Sequence, residues 1–141
     1  MDFGFSEEQD LLRQSARDFL AKECPMTTVR KLMDDETGHS PDLWKKMGEL
    51  GWQGLILPEK YGGIGLDFVD LVVVLEEMGR VVMPGPFLST LVYAGWTIVD
   101  AGTEAQKQKY LPAIARRLFS REFIACGTGA AAASRWPGKT R

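Results

Sequence analysis

The chain has 141 residues, of which 45% are apolar and 26% charged, and a formal net charge of −2. Those values fit one soluble domain with a sizeable core and exclude nucleic acid and anionic membranes as expected partners. The charge is unevenly placed. Residues 116–141 hold six basic residues and one acid, net +5, whereas the first 115 hold eleven and eighteen, net −7. A composition break therefore falls near residue 116.

Two cysteines, Cys24 and Cys126, are too few for a disulfide framework or a metal site and read as free thiols of a reducing compartment. The N-terminus carries Asp2, Glu7, Glu8 and Asp10 where a targeting signal would be basic. No apolar run reaches the roughly 20 residues of a membrane span. A cytoplasmic location is the default expectation.

Along the chain, helical periodicity dominates to residue 115. Ser6 with Gln9 forms a capping-box start, followed by Leu12, Ala16, Phe19 and Leu20 on one face. Pro25 stops this helix. A short helical piece around Val29 to Met33 follows. Ser40-Pro41 reads as an N-cap with proline at the first helical position, leading to the apolar stripe Leu43, Trp44, Met47 and Leu50. Gly51 stands where a left-handed cap belongs. Residues 52–65 read as a loop with Leu55, Ile56 and Leu57 packed inward.

Asp67 opens the next helix, with Phe68, Leu71, Val72, Leu75 and Met78 on one face and Val69, Val73 and Val74 spreading apolar surface around it. Such a helix is expected at the centre of a bundle, buried on several sides. The β-branched run Val72 to Val74 is also compatible with a strand, but the length and spacing favour helix. Pro84-Gly85-Pro86 is a rigid turn before a helix from about Phe87 to Asp100, closed by Gly102. Thr103 with Gln106 caps a last helix toward Ile114. The fold class is all-α, an up-and-down-like bundle of about five or six helices. A domain over residues 1–115 is followed by an atypical basic, Ala/Gly-rich tail, 116–141. The alanine run Ala130 to Ala133 and residues 136–141 belong to no element, so a poorly ordered end is expected.

Few residues suggest chemistry on their own. Glu76 and Glu77 are adjacent on a helix, point about 100° apart and read as a structural ion pair or solvated face rather than an acid/base pair. Gly62-Gly63-Ile64-Gly65 lacks the preceding strand and the Lys-Ser/Thr of a phosphate loop, and reads as a turn needing positive φ. His39, the single histidine, has no partner at ligand spacing. Trp44, Trp52 and Trp96 read as core aromatics.

Three segments resemble, in order and spacing, the N-terminal helical domain of the acyl-CoA dehydrogenase family of flavoenzymes. Leu50 to Gly65 has the form LGxxGLxxPExYGGxG and is followed by Glu76-Glu77-Met78-Gly79-Arg80. Before it stands Ser6-Glu7-Glu8-Gln9 leading to Arg17-Asp18-Phe19, and after it Ala101-Gly102-Thr103 through Gln106-Lys107 to Tyr110-Leu111-Pro112. The resemblance runs from about Phe5 to Ala115. The Pro84-Gly85-Pro86-Phe87 turn is further similar to a bacterial subgroup often found in lipid or steroid catabolism.

The family reaction is α,β-dehydrogenation of an acyl-CoA thioester, with a carboxylate base and FAD as hydride acceptor. The resemblance implies acyl-CoA as substrate, FAD as cofactor and an oligomer. It places the catalytic glutamate and most of the flavin site in later domains, whose motifs this sequence does not show. No catalytic residue and no metal ligand is therefore expected here. The expectation is a reading frame truncated near residue 116, giving a chain inactive by itself. Its alternatives are an interaction module docking on a separate flavoprotein subunit, since some family members assemble from unlike subunits, or a gene remnant. The helix after Pro86 lines the deep end of the family's acyl pocket, which makes Phe87, Ser89, Thr90, Leu91 and Tyr93 the candidate pocket residues, against the alternative that they are bundle core.

Overall fold

A computed structural model describes residues 4–116. The tail, with Cys126 and the alanine run, lies outside the described residues. Those described contain α-helices α1 (Glu7–Glu23), α2 (Met26–Met33), α3 (Pro41–Glu49), α4 (Phe68–Arg80), α5 (Trp96–Ala101) and α6 (Glu104–Ala115). Short 3₁₀ turns cover Trp52–Gly54 and Glu59–Tyr61, and a π-helix, Leu88–Gly95, runs directly into α5. The architecture is all-α, as expected.

The helix starts follow from local chemistry. Ser6 Oγ accepts from the Gln9 amide (3.2 Å) while Gln9 Oε1 accepts from the Ser6 amide (3.1 Å), and Glu7, Glu8 and Asp10 sit at the positive end of α1. Thr103 and Gln106 repeat the device on α6. Ser40 caps α3 through the Leu43 amide at 3.2 Å. Asp67 caps α4, with Asp70 reaching back to the Asp67 amide at 3.0 Å. α2 begins directly after Pro25, three residues earlier than the periodicity suggests.

α4 departs from the expectation of burial nearly all round. Leu71, Val73, Val74, Glu77 and Met78 are buried, whereas Val69 is 45% and Val72 53% exposed. α1 packs along α4, and this contact rotates the buried arc away from the face that apolar spacing alone selects. Valine count cannot reveal that rotation. The helix expected from Phe87 to Asp100 is present, but its first part is wound with i→i+5 bonds, such as Trp96 N–H to Leu91 O. A Cβ on Gly95 would stand 3.3 Å from Thr90 O and in ordinary contact with Leu57 Cδ2 at 3.5 Å, so the segment packs closely there.

The core joins Ala16 and Leu20 of α1, Leu43, Trp44 and Met47 of α3, the loop triplet Leu55 to Leu57, Leu71 and Val74 of α4, Phe87 and Leu91, and Leu111 and Ile114 of α6. Trp52 and Phe19 meet edge-on at 5.2 Å, and Trp96 and Phe68 at 4.6 Å. The Trp44 and Trp52 rings are buried, and Trp96 is partly buried against the core.

Candidate functional site: an apolar pocket at the end of α4

α4 ends in a paired turn. The Met83 amide donates to Met78 O (3.0 Å) and the Val82 amide to Gly79 O (3.1 Å). This is the Schellman arrangement, which satisfies the last helical carbonyls and requires a left-handed residue just past the cap. That residue is Val82, with φ of 51°. The same fold-back brings Met83 beside Met78, the apolar contact that accompanies this motif. Gly85, with φ of 134°, then redirects the chain. Pro86 O starts the next helix by accepting from the Thr90 amide at 2.9 Å and the Ser89 hydroxyl at 3.0 Å.

Between the end of α4 and the first turn of the π-helix lies a pocket of about 420 Å³. Leu75, Met78 and Gly79 of α4, Val82 and Met83 of the turn, and Phe87 and Leu88 line it. Its wall carries no titratable side chain. Phe87 (1% exposed) and Met78 (5%) form the floor, and Val82 (62%) and Leu88 (45%) the rim.

The candidate residues are distributed around the π-helix. Phe87 lines the pocket and stands edge-on to Trp44 at 6.3 Å. Leu91 is buried in the bundle core. Thr90 is buried, and its hydroxyl has no hydrogen-bond partner. Ser89 is half-buried and bonded to Pro86, and Tyr93 is 62% exposed. Sequence reasoning did not reach the α4 side of the pocket. The signal available was the spacing of Leu75, Met78, Gly79 and Val82, which repeats on one helix face.

The charged residues serve packing. Glu77 is buried, and both its carboxylate oxygens accept from Arg17, at 2.8 and 3.1 Å, with Arg80 at 3.6 Å. Hydrogen bonds from the Arg17 guanidinium hold the Glu77 carboxyl below the usual carboxylate range, outweighing the opposing effect of burial. Glu76 pairs with Arg13 at 3.2 Å. The adjacent glutamates are thus a two-pronged ion-pair link between α1 and α4.

Gly62 and Gly65 have positive φ, of 85° and 75°. The loop amides turn inward: Ile64 N to Gly54 O (2.8 Å), Gly65 N to Leu57 O (3.0 Å) and Leu66 N to Leu55 O (2.9 Å). With these donors already committed, the segment is a folded turn and no phosphate cradle. A Cβ on Gly63 would stand 2.0 Å from Leu57 O, so the loop crosses itself where only glycine fits. Tyr61 fastens it to α6 by donating to Glu104 Oε1 at 2.9 Å.

Among the described residues there is no cluster of three or more metal-ligating side chains, and no helix is long and apolar enough to cross a membrane. The pocket wall offers no side-chain donors for the polar edge of a flavin ring, so these residues do not fit FAD there.

Comparison with known proteins agrees with this architecture. Residues 6–117 match the family model for the acyl-CoA dehydrogenase N-terminal domain. The chain is 40% identical over 86 residues to acyl-CoA dehydrogenase IpdE2 of Mycolicibacterium smegmatis, covering 60% of this chain and 28% of that protein. It is 37% identical over 124 residues to mitochondrial isovaleryl-CoA dehydrogenase of Bos taurus, covering 86% and 28%. The solved butyryl-CoA dehydrogenase of Megasphaera elsdenii superposes with a TM-score of 0.68 at 27% identity, covering 84% of this chain and 32% of that one. The chain thus spans under a third of the length of these relatives. Six helices in this order, carrying those motifs over residues 6–117, place the chain in the acyl-CoA dehydrogenase family, within its N-terminal domain.

Proposed function

We propose that this chain supplies the N-terminal helical domain of a flavin-dependent acyl-CoA dehydrogenase, and that the pocket at the end of α4 receives part of the acyl chain. The observation that carries this is the uncharged wall of Leu75, Met78, Val82, Met83, Phe87 and Leu88 around about 420 Å³. An open, mostly apolar hollow of that size suits a hydrocarbon group and presents no charged side chain. Phe87 closes its floor. Ser89, Thr90, Leu91 and Tyr93 shape the helix behind it.

The chemistry of α,β-dehydrogenation requires a positioned base and a hydride acceptor, which FAD supplies when bound. The described residues contribute apolar positioning and exclusion of water, and the base and flavin site belong to the rest of the family's length. The 141-residue chain alone is therefore expected to be inactive. The test is octanoyl-CoA oxidation with an artificial electron acceptor, together with the flavin absorbance of the purified chain. Turnover or stoichiometric flavin overturns the assignment of inactivity. An octanoyl-CoA titration that shifts the Leu75 and Leu88 methyl resonances supports the acyl pocket, and one that leaves them in place counts against it.

A second reading, docking on a separate flavoprotein subunit, is favoured by the exposed apolar residues Val69 and Val72 of α4 and Val82 and Leu88 beyond it. Co-purification with a flavin-bearing chain supports it, and a lone monomer at low salt opposes it.

A further inference from the structure

We infer that Val82 is a size-selecting residue, held in a left-handed backbone conformation so that its isopropyl group narrows the mouth of the pocket; this rests on the acyl-pocket reading above. Among the described residues, every other position with positive φ is a glycine: Gly38, Gly51, Gly62, Gly65 and Gly85. The left-handed position of a Schellman turn is where glycine has the largest advantage. A β-branched side chain there is a true outlier, retained only because the surrounding structure over-determines it. Here the two amide bonds to Met78 O and Gly79 O fix the turn.

Core packing does not account for the valine. Its side chain is 62% exposed, so little burial offsets the strain. What the isopropyl group does touch is the pocket. Gly79 and Gly85, which also line it, contribute no side chain, so Val82 and Leu88 are the exposed side chains of its lining. A β-branched side chain on a fixed backbone has few χ1 options. The rim it builds is accordingly stiff, whereas the floor beneath includes the flexible Met78. A stiff rim over an adaptable floor admits a narrow hydrocarbon chain and resists a wide one.

The test compares the 141-residue chain with Val82→Gly and Val82→Asn, both of which tolerate the left-handed conformation. Binding of octanoyl-CoA and of cyclohexanecarboxyl-CoA is followed by the Leu75 and Leu88 methyl resonances, and stability by thermal unfolding. Val82→Gly is expected to raise the unfolding midpoint by about 3 °C. It should weaken octanoyl-CoA binding by about fivefold, the loss of one partly buried isopropyl contact. The cyclohexyl probe should lose less than about twofold, or gain, because the mouth has widened. Val82→Asn should also stabilise, with octanoyl-CoA weakened by the amide at the rim. An unchanged ratio of the two affinities in Val82→Gly overturns size selection, and a lowered midpoint overturns the strain on which it is built. If neither probe shifts the wild-type methyls, the acyl pocket and the selection fall together. That result differs from failure of this inference alone, in which both probes bind and Val82→Gly leaves their ratio unchanged.

Discussion

The loop entering α4 and the turn leaving it face the same demand for left-handed backbone. In the entering loop, Gly51, Gly62 and Gly65 take those positions, and the amides between them close on the loop's own carbonyls. In the leaving turn the equivalent demand falls on Val82. The first region has its backbone chemistry satisfied by residues suited to it, and Tyr61 ties it to α6. The second departs from the local rule beside an apolar pocket. Departures of this kind collect where a structure serves something besides its own stability. The pair therefore separates scaffold from candidate site without any catalytic residue to point the way.

The sharpest way to break the entering loop is Gly63→Ala. The new Cβ would lie 2.0 Å from Leu57 O and 2.4 Å from its carbonyl carbon, backbone atoms that cannot swing aside. A cost of at least about 4 kcal/mol is expected. Urea unfolding should show the transition shifted to a much lower midpoint or lost. A variant as stable as the parent would show that the loop does not cross itself this tightly.

Next in size is Glu77→Gln, in the last turn of α4. It removes the bidentate Arg17 pair and should cost about 2 kcal/mol, below the full penalty for a broken buried pair because Arg17 can turn to water. The sign with pH follows from the depressed Glu77 carboxyl. Its stabilisation is fully present above the unfolded-state value of about 4.3 and is lost as pH falls through the lower folded value. The parent should therefore lose stability between neutral pH and acid more steeply than Glu77→Gln. Parallel acid profiles would remove the ion pair from the account of α4.

Much of the scaffold was legible in the sequence. Ser6 with Gln9, Thr103 with Gln106, Ser40 before Pro41, and Gly51 after Leu50 each satisfy exposed backbone groups through a fixed short spacing, so a local pattern suffices. The leaving side was not. Glycine marks left-handed turns, and Val82 conceals one. The i→i+5 winding of Leu88–Gly95 leaves no imprint that separates it from an ordinary apolar helix. The outward turn of Val72 is set by α1, whose Arg17 and Arg13 bonds to α4 span 60 and 63 residues of sequence. Phe87 was reachable through the resemblance, which places the helix after Pro86 at the family's acyl pocket; its partners Leu75 and Met78 come from α4 and Val82 from the turn after it, and no local motif joins these to Phe87.

A milder probe of the entering loop is Gly51→Ala. The added Cβ would meet Ile64 Cδ1 at 2.7 Å, the far end of a movable side chain, at a φ of 78°. The steric part can relax and the backbone part cannot, which gives about 1.5 kcal/mol of destabilisation by denaturant midpoint at constant m.

The smallest expected effect is on the leaving side and has the opposite sign. Pro86 O already accepts from the Thr90 amide and the Ser89 hydroxyl, so the usual acceptor for a helical threonine hydroxyl is taken. Thr90 Oγ1 is left buried without a partner. Thr90→Val keeps the shape and removes the unsatisfied group, so it should stabilise the chain by about 1 kcal/mol. A buried polar atom in the entering loop, Gln53 Oε1, also lacks a partner, but its amide nitrogen donates to Trp44 O at 2.8 Å, so removing that side chain would forfeit a bond. Thr90 has no such bond to lose. A gain for Thr90→Val would add a second departure from the local rules to the segment that holds Val82. A loss would mean that the hydroxyl finds a partner in solution, and the contrast between the two sides of α4 would then rest on the backbone of Val82 alone.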